Sequence, residues 1–369
     1  MTRMSDTVFT HDEQLSIRQP RIWPRLLAFP VLAVVGQAAF FAGVSGDSWP
    51  IQLSWVAVLS YCWYCIAGLL HELVHQTLPI PRRMSVWLGR AIGTFLGLPY
   101  SVYRAVHIRH HAYLNTPLDW ELWPYSDPRR GLWFRRLFVW FDIVCGFIAT
   151  PLIYQRICSS SESPVPPAER RQMKIEYWFV LLFWGTVIGS LTWLDIVGII
   201  QLTTTDLVRL SPLPIAASVN SLRKLIEHLG MASYDPVEGT RTIIGRHWWT
   251  RFFSYFDFEL WIHGPHHRYP KRSHDQLENS MRQLELRDPA RRFPVFPSFH
   301  SAVLDVLPWL FVNPAVGMNA GNRAPLTHLP NIDNFVTDVL RDVVLPSHDH
   351  VDGSPTEPPT DPQRRRLAT

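Results

Sequence analysis

The sequence predicts an all-α integral membrane protein of about four transmembrane helices, with further helices lying in the interface and a histidine-rich cap on the cytoplasmic side. Three observations carry this: long runs without charge, basic residues confined to one side of those runs, and histidines gathered at their ends. With 369 residues, 47% hydrophobic and 18% charged, the chain holds ample apolar surface, which excludes a disordered or fibrous protein. Its four cysteines (Cys62, Cys65, Cys145 and Cys158) are too few for a disulfide framework and imply no oxidising compartment.

Residues 26–46 and 51–70 carry no charge, and each run is long enough to cross a hydrocarbon core of about 30 Å. The short link around Gly46 to Pro50 is turn-like and makes the pair an antiparallel hairpin. A third uncharged run covers 177–194. The fourth, 200–222, contains Asp206, Arg209, Pro212 and Pro214, with the two charges three apart, where a helix lets them pair. Two further apolar stretches, 84–103 with Arg90 and 137–154 with Asp142, read as half-spans or interfacial helices. Three charge-free runs of this length argue against the helices of a soluble core.

Arg18, Arg21 and Arg25 precede the first span, Arg82 and Arg83 follow the second, Arg170, Arg171 and Lys174 precede the third, and Arg223, Lys224 and Arg241 follow the fourth. The positive-inside rule then puts both termini and the polar blocks in the cytoplasm. The first run lacks a cleavage site and reads as an anchor. The organisation expected is a cytoplasmic segment 1–25, a membrane domain 26–285 with its linker Ser159 to Pro167, a cytoplasmic region 286–347 and a flexible tail 348–369. The location expected is the inner or plasma membrane of a bacterium. No phosphate-binding glycine loop, no zinc-ribbon cysteine spacing and no nucleic-acid signature is present, and the CxxC of Cys62 and Cys65, inside an apolar helix, reads as packing.

Nine of the 16 histidines fall in four clusters, each near the cytoplasmic end of an apolar segment. They are His71 and His75 (HELVH); His107, His110 and His111 (HIRHH); His228; and His263, His266 and His267 (HGPHH). Residues i and i+4 share a helix face, so the members of each of the first two clusters point together. Two HxxHH patterns in one chain are not expected by chance, although any single histidine is better read as a satisfied core residue. Nine imidazoles suffice for two metal ions, and Fe, Zn and Cu all suit such donors. HELVH also matches the HExxH of a zinc metalloprotease, in which Glu72 would activate water, but that reading leaves most of the clustered histidines unused. A metal transporter without catalysis is another class, and it would place its ionisable residues at mid-span.

The order HxxxH, HxxHH, HxxHH after a pair of spans resembles the membrane-bound fatty acid desaturase and hydroxylase superfamily. So do His110 to Asp119 (HHAYLNTPLD), RKLIEHLG at 223–230 and HGPHHRYP at 263–270, a likeness over roughly 50–285. The resemblance implies two non-haem irons held by the nine histidines, O2 as co-substrate, and attack on an unactivated C–H bond of a lipid chain. Fatty-acyl desaturation leads; carotenoid or alkane hydroxylation or ketolation, and oxidative decarboxylation of a free fatty acid to a terminal alkene, are the alternatives. Carboxylates expected behind the ligands are Glu72, Asp119 and Glu227, with Glu121, Asp257 and Glu259 as further candidates, and Asn220 is placed to reach a metal-bound water. The chain has no haem-binding or nicotinamide segment, so electrons are expected from a ferredoxin or cytochrome docking on Arg82, Arg83, Arg129, Arg130, Arg135 and Arg136.

Overall fold

A computed structural model describes residues 23–324, residue 47 excepted; Arg18, Arg21 and the tail 348–369 lie outside the described residues. Helix α1 (Trp23–Phe41) and helix α2 (Trp49–His75) form the predicted hairpin. Gly43 and Gly46 take φ of 80° and 60° in the turn between them, where a side chain would be strained. The antiparallel register follows from Phe29 on Tyr61, Gly36 on Leu59 and Phe40 stacked on Trp55 at 5.7 Å. α2 runs through the first histidine cluster and ends at Gln76, whose positive φ lets its N–H reach Glu72 O.

The two mixed stretches are each a pair of helices. Residues 84–103 fall in α3 (Arg82–Phe95) and α4 (Tyr100–Ala112), separated by Gly97 at φ 72° and by Pro99, which has no N–H to continue a ladder. Residues 137–154 fall in α5 (Leu132–Val144) and α6 (Gly146–Ser159), which turn at Cys145. Their charges are paired: Arg90 with Glu176 at 2.6 Å, and Asp142, fully buried, with Lys224 at 2.9 Å and the Tyr125 hydroxyl at 3.2 Å. Isolated charges in such places would be expensive, and pairing removes most of that cost.

Helix α7 (Pro167–Ile196) follows the linker and extends the third run at both ends. α2 and α7 are the two helices among the described residues long and apolar enough to cross a membrane. Only 6% of the apolar window of α7 is buried, against 61% for α2. Trp178, Phe179, Leu182 and Ile188 stand exposed along α7.

The fourth run is not one continuous helix. It divides into α8 (Thr204–Leu210), started by a capping box between Thr203 and Asp206, and α9 (Pro212–His228). Pro212 and Pro214 suit the first turn of a new helix and cannot continue an old one. Asp206 and Arg209 do pair, at 3.1 Å.

After α9 come strand β1 (Thr242–Ile243), α10 (Trp248–Phe256), α11 (His263–Arg268), α12 (Leu277–Arg287), β2 (Val295–Phe296) and α13 (Phe299–Phe311). The two short strands pair in parallel, Thr242 opposite Val295. The folded unit therefore passes the expected boundary at 285: α13 packs on α5 and α9, Gly230 N–H donates to Ala315 O at 2.7 Å, and Gly317 N–H to Met231 O at 2.9 Å. α2 and α9 lie at the centre, side by side, and their histidine-bearing ends meet the second and third clusters.

Candidate metal centre

All nine predicted histidines are buried and converge. The last two turns of α2 supply His71 and His75, the end of α4 supplies His107, His110 and His111, the last residue of α9 is His228, and α11 carries His263, His266 and His267. They sort into two sets. His71, His75, His107, His111 and His266 form one; His110, His228, His263 and His267 form the other; within each set the donor atoms all lie within 4.8 Å of one another. Inside α4 the expectation that all three histidines point together fails for one of them: His107 and His111, four apart, share a set, whereas His110, on a neighbouring face, joins the other. Pro265 does not prevent α11 from being helical, because proline is tolerated in a first turn, and so His263 and His267 also share a face.

Carboxylates and carbonyls hold the rings from behind. His107 Nδ1 faces Glu121 at 2.8 Å, His110 Nδ1 faces Asp119 at 2.8 Å, and His263 Nδ1 faces the Leu260 carbonyl at 3.2 Å. Carboxylates and carbonyls only accept, so each of these Nδ1 atoms carries the proton and each Nε2 is a bare lone pair. Those Nε2 atoms point inward at other Nε2 atoms: His107 to His75 at 3.0 Å and to His111 at 3.1 Å, His263 to His228 at 2.8 Å and to His267 at 3.0 Å. His71 Nε2 is buried with no hydrogen-bond partner at all. Converging lone pairs and an orphaned buried nitrogen are what a cation site leaves when its cation is omitted, so the donor set fits two metal ions.

The loop after α4 is organised for this purpose. Asp119 accepts from His110 with one oxygen and from the Glu121 and Leu122 N–H groups with the other, which aims Glu121 at His107. Asn115, at φ 59°, ties the loop to Ser233 O and Gly239 O through its side-chain amide. Thr242 Oγ1 accepts from Gly264 N–H at 2.9 Å and so fixes the start of α11. Burial would raise the Glu121 carboxyl, but His107 and His110 beside it and hydrogen bonds from His107 and Tyr154 hold it below the usual carboxylate range. Burial, reinforced by neighbouring imidazoles, pushes His111, His263, His266 and His267 well below the ordinary histidine value, which keeps them neutral and able to ligate. His110 goes the other way: burial lowers it, but Asp119 and Glu121 raise it further.

Among the other expected residues, Glu72 lies 3.4 Å from His71 Nδ1 and accepts from Thr77 Oγ1 at 2.6 Å. Glu227 is 3.4 Å from His263 Nε2 and is bound by Arg223 at 2.8 Å. Three candidates lie elsewhere. Asn220 Oδ1 accepts from Arg223 at 3.3 Å, Asp257 accepts from the Tyr64 hydroxyl, and Glu259 pairs with Arg25 at 3.2 Å. Burial pushes Asp257 up to about 7, against the opposing pull of Arg223 and the Tyr64 hydrogen bond.

Sequence reasoning missed Tyr154, whose hydroxyl donates to Glu121 at 2.6 Å, and His274, 3.4 Å from Glu72. Neither stands in a motif, and no spacing could have marked them. Of the expected arginine face, Arg135 is buried and Arg136 donates to Val312 O, while Arg129 and Arg130, both paired with Asp127, stay exposed. Arg82 and Arg83 are likewise exposed, at the start of α3.

The profile of the family described as fatty acid desaturase matches residues 47–299, more than half of the chain and including every one of the nine histidines. The chain belongs to the fatty acid desaturase family, in agreement with the resemblance its motifs carry. Membership makes it an oxidoreductase of fatty acid metabolism and implies a lipid substrate. No curated protein matches the chain.

Proposed function

We propose that the protein is a multi-pass membrane enzyme that carries out O2-dependent fatty-acyl desaturation at a histidine-bound di-iron centre. The observation that supports this best is the division of nine buried imidazoles into a set of five and a set of four. A bound pair of irons would supply the oxidation of an unactivated C–H bond by O2, with electrons from an external ferredoxin or cytochrome. His71, His75, His107, His111 and His266 would hold one ion, and His110, His228, His263 and His267 the other. The protein's share of the work is positional. Glu121 and Asp119 keep His107 and His110 in the tautomer that offers Nε2, and the apolar core beneath, including Leu70, Leu73 and Val106, keeps water away. The termini and the metal centre are read as cytoplasmic in a bacterial inner membrane, with the spans at α1, α2, α7 and α8 with α9.

The test is elemental analysis of the detergent-purified protein, expressed with ample iron, followed by product analysis with labelled acyl chains. About two irons per chain and an alkene product are expected. One zinc without iron, in protein purified without metal exchange, would overturn the assignment; an alcohol or a terminal alkene would move the reaction within the family.

A further inference from the structure

We infer that the groove between α6 and α7 binds an anionic glycerophospholipid of the bilayer, with its phosphate at Lys174 and one acyl chain lying along the groove towards Trp184. This goes beyond the reaction proposed above and rests only on the membrane reading of α7, not on the metal centre. The groove measures about 700 Å³, within the range of about 300–1,000 Å³ common for ligand sites. Its lining is graded. Gln155 and Ser159 from the last turns of α6 and Lys174 from the early turns of α7 make one end polar, because the short linker 160–166 brings these two helix ends together. Beyond them the walls are apolar, with Phe147, Ile148 and Leu152 on one helix and Trp178 and Leu181 on the other, all five exposed. From Lys174 to Trp184 the helix rises about 15 Å, which is half of a hydrocarbon core of about 30 Å and so the depth of one leaflet.

The groove is held open by bonds that also settle where its polar groups are free. The Tyr177 hydroxyl donates to Pro151 O at 2.5 Å across the groove, and Trp184 Nε1 donates to Thr94 O at 2.8 Å at its far end, so both rings offer only carbon to an occupant. Lys174 has no carboxylate partner among the described residues: Glu176, two positions on, is taken by Arg90 at 2.6 Å and by the Ser101 N–H at 2.7 Å. Arg171, one turn earlier and also exposed, adds a second cation at the same end. A phosphate complements that end and an acyl chain complements the walls. The occupant comes from the bilayer because α7 is the lipid-facing helix, with only 6% of its apolar window buried, and the open side of the groove leaves a second acyl chain among its neighbours. The site is separate from the metal centre. Tyr154 is the α6 residue that reaches Glu121, at 2.6 Å, and it does not line the groove. A lipid seated there bridges α6 and α7 from the membrane side.

The experiment is native mass spectrometry of the full chain in detergent, titrated with phosphatidylglycerol, with phosphatidylcholine of the same acyl chains and with the corresponding free fatty acid. Phosphatidylglycerol is expected to bind more tightly than the other two. Lys174→Gln is expected to weaken it about fivefold, the worth of one cation beside an anionic headgroup. Lys174→Arg should restore the affinity, and Leu181→Trp, which puts a larger side chain into the groove, should weaken it. Lys174 and Leu181 are both exposed, so neither substitution disturbs the packed core. Arg246→Gln removes an exposed cation beside α10 and is expected to change nothing. Equal binding of the two phospholipids, equal weakening by Lys174→Gln and Arg246→Gln, or a preference for the free fatty acid would each overturn the inference. Iron content and product, read on the same preparations, report separately on the proposed reaction. A chain that stays in solution without detergent would remove the membrane reading and the inference together.

Discussion

His111 and His267 stack ring on ring, with centroids 4.1 Å apart and 22° between their planes. One belongs to the five-imidazole set and the other to the four, so this contact joins the two candidate sites.

Replacing His110 or His267 by Ala is expected to remove the ion of the four-imidazole set and to abolish product, while the helices stay membrane-inserted. Metal content per chain and labelled-product analysis check this. Full activity in either variant would sink the di-metal assignment.

Tyr154→Phe takes away the hydroxyl that donates to Glu121, while the ring keeps its stacking on Tyr103 at 5.8 Å. Loss of a partner behind a ligand typically weakens metal binding about 10- to 100-fold. Competition against a chelator of known affinity reads the change, and unaltered affinity would show that Glu121 does not orient His107.

Arg241 is almost completely buried and donates to Ile226 O at 2.9 Å and Leu229 O at 2.6 Å, closing the carbonyl end of α9 just where His228 leaves it. It also pairs with the half-exposed Asp305 at 2.7 Å. Arg241→Met is expected to leave two buried carbonyls unpaired and to destabilise the protein by about 3 kcal/mol. A melting temperature in detergent within a degree of the natural protein's would refute that assignment.

Gly146 lies where α6 crosses α9, and a Cβ there would stand 2.7 Å from Ala217 O. Backbone on the other side cannot yield as a flexible side chain can, so Gly146→Ala is expected to cost about 1–3 kcal/mol by overpacking. An undiminished melting temperature would mean that the two helices separate freely.

The pH dependence has a definite sign in metal-free protein. His111, His263, His266 and His267 are held below their ordinary value, largely by burial, so the unfolded chain takes up more protons than the folded one once the pH drops under about 6.5. Stability is thus present above that value and lost below it; His110, shifted upward, offsets a part. Thermal unfolding of chelator-treated protein from pH 8 to pH 5 is expected to show a melting temperature that falls below about pH 6.5. A flat profile would mean that the imidazoles are not neutral in the fold.

Much of this was legible in the residues. Charge-free runs marked α1, α2 and α7, the turn at Gly46 gave the hairpin, and the spacing of HELVH set His71 with His75, whereas the spacing of HIRHH groups all three of its histidines and only His107 and His111 share a set. The carboxylate behind His110 was legible because Asp119 closes the family-like segment HHAYLNTPLD and ligating imidazoles usually donate their other N–H to a carboxylate. The division of the fourth run at Ser211 was less so, since Pro212 and Pro214 are compatible with a kinked single helix as well as with two.

What the sequence determined by itself is chemical identity: nine imidazoles at the ends of apolar segments, and a helical membrane-type scaffold to carry them. Periodicity reaches only one or two turns, so it pairs residues four apart and says nothing about clusters separated by a hundred positions. The tertiary structure alone decided that His266 from α11 joins His71, His75, His107 and His111, while His110 crosses to His228, His263 and His267. It alone placed Tyr154 on Glu121, from 33 positions away. The reason is that assignment to one ion or the other depends on how α2, α4, α9 and α11 are rotated about their axes, and those rotations are set by packing among the helices.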